Sequence, residues 1–131
     1  MKNLGKVIEY MKKDLYSGPD NELKYKDCAA FFKSSILNLA ISFEVGEGHF
    51  KSEPISYEKI CLNIPKKIGS RSSIQSVLNQ AVELGFFQKE KSNLDKRVKK
   101  YVFSQTYEKM ITDWIYNAES VFSENLQYPK S

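Results

Sequence analysis

Residues 70–104 read SRSSIQSVLNQAVELGFFQKEKSNLDKRVKKYVFS. Ile74, Val77, Leu78, Ala81 and Val82 recur at three- and four-residue spacing, the period of an amphipathic helix. Ser70 stands where an N-cap belongs and Gly85 where a left-handed residue ends a helix, which predicts a helix from Arg71 to Leu84. Phe86–Lys91 and Val98–Ser104 read as strands flanking the turn Ser92-Asn93-Leu94-Asp95, hence a hairpin. On the amino-terminal side, Pro65-Lys66-Lys67-Ile68-Gly69 is a turn. Before it, Ser56 caps a short helix from Tyr57 to about Ile64, with Lys59 where a capping-box glutamate would sit. Short helix, tight turn, second helix and hairpin make a winged helix-turn-helix with its core at about 54–104.

The buried stripe of the second helix fixes what points outward: Ser72, Gln75, Ser76 and Asn79, with Arg71 in the first turn. These side chains suit base edges and phosphates, whereas an ordinary surface helix carries Glu and Lys pairs that support it. Glu83 shares the face but lies at its far end. The hairpin adds Lys89, Lys91, Lys96, Arg97, Lys99 and Lys100 against Glu90 and Asp95, and the preceding turn adds Lys66 and Lys67. A basic arm that directly follows a groove-shaped helix is a phosphate-seeking surface.

The flanks read as helices. Leu4, Val7, Ile8, Met11 and Leu15 form an amphipathic helix over 4–16, broken by Ser17-Gly18-Pro19-Asp20-Asn21. A second, broadly apolar helix is expected from about Glu22 to Glu44, followed by a loop from Gly46 to Pro54 that contains His49. Its aromatic side chains suit either plain core or a pocket for a small-molecule effector. The last helix, Thr106 to about Leu126, sets Met110, Ile111, Trp114, Ile115, Ala118, Val121 and Phe122 on one side. A winged helix needs neither terminal helix, so their apolar faces are either core or a two-fold interface, and half-site reading of DNA favours the second. The expected architecture is mainly α with a small β-hairpin, one domain over 1–131, with flanking helices at 4–44 and 106–126.

Composition narrows the function. The 131 residues are 41% hydrophobic and 27% charged, a globular balance, with 20 Lys and Arg against 16 Asp and Glu. MKNLGKVIEYMKKDLY lacks the apolar run of a signal peptide, and Cys28–Val45 is too polar for a bilayer span, so a soluble cytoplasmic protein is expected. Cys28 and Cys61 show no CxxC spacing and read as reduced structural thiols, with redox sensing as the alternative. His49 is the only histidine; with no neighbouring Cys, His or paired carboxylates it offers no metal site, and no cofactor is expected. No phosphate-cradling Gly loop or nucleophile–base pair points to an enzyme.

Ser70-Arg71-Ser72-Ser73-Ile74 through Glu83-Leu84-Gly85-Phe86-Phe87, then Asp95-Lys96-Arg97 and Tyr101-Val102-Phe103-Ser104, resembles the MarR family of winged-helix regulators. That family ends its recognition helix with Leu-Gly, carries Asp-x-Arg in the wing and closes the second strand with a hydrophobic residue before Ser or Thr. The resemblance covers about 50 residues well, and the flanking helices in order and length. It departs in the glycine-rich stretch 46–53 and the turn 65–69. It implies a homodimer joined by its terminal helices and wings reaching into the minor groove. By position, Arg97 would be the wing-tip arginine, Asp95 would orient it, and Arg71, Ser72, Gln75 and Ser76 would meet the major groove. Asn79, Lys66, Lys67, Lys91, Lys96 and Lys99 complete the expected DNA-binding set. A winged helix serving replication, partitioning or protein–protein contact is the alternative.

Overall fold

The computed structural model describes residues 2–17, 23–91, 94, 95 and 97–126, with only the backbone of 17 and 23–25. The chain runs α1 (Leu4–Ser17), α2 (Leu23–Phe32), α3 (Ile36–Phe50), β1 (Ile55–Ser56), α4 (Tyr57–Asn63), α5 (Arg71–Glu83), β2 (Phe87–Lys91), β3 (Lys99–Phe103) and α6 (Gln105–Asn125). The helix-turn-helix and wing fall where the sequence places them. Ser56, Ser70 and Ser104 each cap a helix by accepting a hydrogen bond from the backbone N–H three residues on. Gly85 has φ +80°, as its place after α5 requires. Residues 18–21 of the expected break, Ser92 and Asn93 of the turn, and Lys96 lie outside the described residues.

The single helix expected over 22–44 is instead two, α2 and α3, bent by 107° at the break. Side chains that compete for the backbone explain the break. Ser34 Oγ donates to the Phe31 carbonyl (2.9 Å) and Ser35 Oγ accepts the Asn38 N–H (3.0 Å). Asn38, itself buried, donates from Nδ2 to the Phe31 carbonyl (2.9 Å) and to Ser34 Oγ (2.8 Å). Apolar spacing continues through the break, so periodicity does not show it.

The expected 46–54 loop is also corrected, because α3 runs on to Phe50. Gly46 and Gly48 serve close packing rather than a turn. A Cβ on Gly46 would lie 2.8 Å from the Phe103 ring, and one on Gly48 would lie 2.5 Å from the Glu53 carbonyl. His49 therefore sits in the last turn of α3. Its Nδ1 accepts the Phe103 N–H (3.2 Å), which leaves Nε2 to donate to Glu108 (3.1 Å).

The hairpin is part of a three-stranded antiparallel sheet of order β1-β3-β2, in which Ile55 faces Tyr101 and Phe87 faces Phe103. Two residues are too few for β1 to show alternation. Behind the sheet, Tyr107 of α6 is fully buried among Phe103 (4.9 Å between ring centroids), Phe87 (5.3 Å) and Phe86 (5.6 Å). Its hydroxyl pairs with Ser42 Oγ at 2.7 Å, and burial raises its pKa far above that of a free phenol.

The terminal helices pack on this unit. Val7 of α1 is buried, whereas Leu4, Ile8, Met11 and Leu15 are 47–71% exposed. Asp14 of α1 binds Lys33 (3.0 Å) and accepts the Trp114 indole N–H (3.0 Å). Trp114 also packs edge-on against Phe32 (5.2 Å), so it is held within the chain rather than left to a partner. Ile115 and Tyr116 of α6 remain 45% and 67% exposed. Phe31 and Phe32 are core side chains, which removes them from an effector pocket. An open cleft of about 300 Å³ lies instead between α1 and α6, lined by Lys6, Glu9, Tyr10, Lys13, Val121 and Asn125. Among the described residues no single helix is long and apolar enough to cross a membrane.

Candidate nucleic-acid interface

Helix α5 buries Ile74, Leu78 and Ala81 and turns Arg71, Ser72, Ser76 and Asn79 outward, with Gln75 half-buried at the border. Lys66 and Lys67 are exposed in the preceding turn, which Ile68 N closes onto the Pro65 carbonyl (2.9 Å). Gly69 lets this turn sit on α3, since a Cβ there would lie 2.6 Å from Leu37.

The outward polar groups are held rather than loose. Gln75 Nε2 donates to Asn79 Oδ1 at 2.9 Å, and the Gln75 amide shares a hydrogen bond with the Tyr101 hydroxyl of β3. Burial pushes Tyr101 above the ordinary phenol value, and the bond from Gln75 pulls it partly back. The chain Tyr101–Gln75–Asn79 thus ties the second wing strand to the middle of α5 and leaves the Asn79 amide nitrogen for an outside acceptor.

Arg71 is held by α4. Its Nη2 donates to both Glu58 carboxylate oxygens at 2.7 Å, and the guanidinium lies 5.2 Å from the centroid of the Tyr57 ring. Tyr57 in turn donates its hydroxyl hydrogen to the Arg71 carbonyl at 3.2 Å. The hydrogen bond with the Cys61 thiol and partial burial raise the Tyr57 pKa, and the Glu58 carboxylate raises that of Arg71.

The wing carries Lys89, Lys91 and Lys99 exposed and Lys100 half-buried. Register sets Glu90 opposite Lys100 but Lys91 directly opposite Lys99. Like charges facing each other across a ladder destabilise it, so this pair has no rationale within the fold. At the tip, Arg97 donates to Asp95 from its backbone N–H (3.0 Å), Nε (3.2 Å) and Nη2 (3.3 Å), and these bonds lower the Asp95 pKa. The Arg97 side chain is nevertheless 92% exposed.

The structure places Lys66, Lys67, Arg71, Ser72, Gln75, Ser76 and Asn79 on the helix-turn-helix, and Lys91, Asp95, Arg97 and Lys99 on the wing. Lys96 lies outside the described residues. Glu58, Tyr57 and Tyr101 are absent from the sequence-derived set. Each acts through a contact between separate elements, and only the Tyr57–Glu58 start of α4, just after a cap, hints at one in the sequence.

No protein-family model matches the sequence, and no curated protein matches it. Solved structures do match in fold. The transcriptional regulator Tm0710 from Thermotoga maritima superposes with a TM-score of 0.55 at 9% identity, over 95% of this chain and 81% of that one. FabT from Streptococcus pneumoniae, in complex with DNA, gives 0.50 at 12% identity, over 95% of this chain and 76% of FabT. The heme sensor protein PefR from Streptococcus agalactiae gives 0.51 at 16% identity, over 98% and 79%. The chain shares with these three structures its fold, a winged helix-turn-helix with flanking helices.

Proposed function

We propose that this protein is a double-stranded DNA-binding transcription regulator that works as a homodimer. Helix α5 lies in the major groove, and the wing follows the backbone into the minor groove. The observation that carries this reading is the wing itself. Lys91 faces Lys99 at a cost to the ladder, beside an exposed Arg97 and a reading helix with no acidic side chain before Glu83. A polyanion laid across these groups offsets their repulsion. The fold likeness to FabT, which was solved in complex with DNA, supports the same reading.

The exposed apolar stripe Leu4, Ile8, Met11 and Leu15 supports the dimer, together with Ile115 and Tyr116. Trp114 does not contribute to that case. Two α5 helices related by a two-fold axis would read half-sites about one turn apart. PefR is a heme sensor protein; a small-molecule effector belongs to the same reading here, and the α1–α6 cleft is the space offered for it.

The test is binding to DNA upstream of the protein's own gene against a duplex of scrambled sequence, across a salt series, with sedimentation to size the complex. A specific, salt-sensitive complex of two chains is expected. Failure to bind either duplex at low salt would move the winged helix to a protein-interaction role. Tight, salt-sensitive binding with no sequence preference would favour replication or partitioning.

Within this reading, Gln75→Ala removes the link between Tyr101 and Asn79. The variant is expected to relax base preference by about 1–3 kcal/mol at the positions that α5 meets. Tyr101→Phe should shift the same positions by a smaller amount. A sequence profile unchanged in both variants would take the buttressed amide out of base readout.

A further inference from the structure

Arg71 opens the reading helix, yet its charge is already matched. Nη2 donates to both oxygens of Glu58 at 2.7 Å, and the guanidinium carbon lies 5.2 Å from the centroid of the Tyr57 ring. Both side chains of the ion pair are exposed, 57% for Arg71 and 69% for Glu58. An exposed pair of this kind contributes little to stability, and a carboxylate in the first turn of α4 adds only modestly through the helix dipole, so neither accounts for the close pairing with Arg71. Glu58 also belongs to the helix-turn-helix whose turn exposes Lys66 and Lys67, and it contacts Arg71 directly.

We infer that Glu58 is a specificity-determining residue, a carboxylate that withholds Arg71 from any phosphate backbone met at random. The inference rests on the DNA-binding reading above. With Glu58 in place, the pair presents no net charge to a polyanion. Only Nη2 of Arg71 is engaged by Glu58, so Nε and Nη1 can still meet an acceptor. Arg71 nevertheless gives a phosphate its full charge only by leaving Glu58, whose carboxylate then stands uncompensated near the DNA. A sequence that offers Arg71 a bidentate acceptor repays that exchange, and a random backbone does not. The Tyr57 ring, 5.2 Å from the guanidinium carbon, offers Arg71 a cation–π contact beside either partner.

Glu58→Gln tests this, since the amide keeps the size and one acceptor oxygen and loses the charge. The probes are a scrambled duplex and the duplex that the wild-type protein selects from a random library. For the scrambled duplex, affinity should rise several-fold. The slope of log K against log salt should steepen by about 0.9, the contribution of one further phosphate. The selected duplex should gain less, so the ratio between the two falls. Adding Arg71→Ala to Glu58→Gln should abolish the gain, while the melting midpoint of the single variant falls by no more than a few degrees, the loss of a first-turn carboxylate from α4.

If Glu58→Gln folds and leaves the scrambled-duplex affinity and slope at their wild-type values, or weakens binding to both duplexes, the inference is wrong while the DNA-binding reading stands. A gain that survives the added Arg71→Ala also overturns it, because the gain would then be a general charge effect. Wild-type protein that binds no duplex at low salt brings down the DNA-binding reading, and this inference with it.

Discussion

Tyr107→Ala is expected to remove about 3–5 kcal/mol of stability, the range for deleting a large aromatic side chain from a packed core. The ring is fully buried against Phe86, Phe87 and Phe103, and it joins α6 to both long strands of the sheet. Its loss also strands the Ser42 hydroxyl, which pairs with Tyr107 at 2.7 Å in a site with no access to water. Domains of this size are stable by only about 5–15 kcal/mol, so the melting midpoint should fall by roughly 10–20 °C. Tyr107→Phe keeps the ring packing and leaves Ser42 unsatisfied, so it should cost about 1–3 kcal/mol. Thermal unfolding followed by circular dichroism reads both. If the alanine variant melted within a few degrees of wild type, α6 would not be anchored through this residue.

The second large effect is on binding. A triple variant, Lys91→Gln with Arg97→Ala and Lys99→Gln, removes three positive charges from the wing without touching the core. If each neutralises one phosphate, the slope of log K against log salt becomes shallower by about 2.7, and affinity near physiological salt falls on the order of a hundredfold for any sequence. The fold should not suffer. All three positions are exposed, and separating Lys91 from Lys99 relieves a like-charge cross-strand pair, so the melting midpoint should stay level or rise slightly. Titration of a labelled duplex at several salt concentrations measures the slope directly. A slope equal to wild type would take the wing out of contact with DNA, whatever α5 does.

These two variants separate the roles of the two layers. Tyr107 belongs to the frame that holds α3, α6 and the sheet together, whereas the wing lysines and Arg97 belong to the surface that the frame presents. Gln75 and Arg71 stand between them. Arg71 points outward from α5 and Gln75 is half-buried at its border, yet each is held by a neighbouring element, through Glu58 and Tyr101 respectively. Pre-ordered side chains lose less rotamer freedom when they meet a ligand, which suits the DNA-reading role proposed for this surface.

The sequence by itself determined the elements whose signals are local. Serine caps at 56 and 70, the three- and four-residue apolar spacing of α5, Gly85 at a left-handed position and the basic hairpin each depend on a few consecutive residues, and the structure has them in place. Tertiary structure alone decided the rest. The break at Lys33–Ser35 depends on Asn38 reaching back to Phe31 across a sharp bend, while apolar spacing runs on as though the helix were continuous. Gly46 and Gly48 look like a loop, but they lie inside α3, where Phe103 and the Glu53 carbonyl leave no room for a Cβ. The two residues of β1 become a strand only when β3 is beside them. Glu58 and Tyr101 gain their roles the same way, through contacts between elements. Capping, helical period and turn geometry are written in neighbouring residues; close packing and ion pairing between elements exist only once the chain has folded.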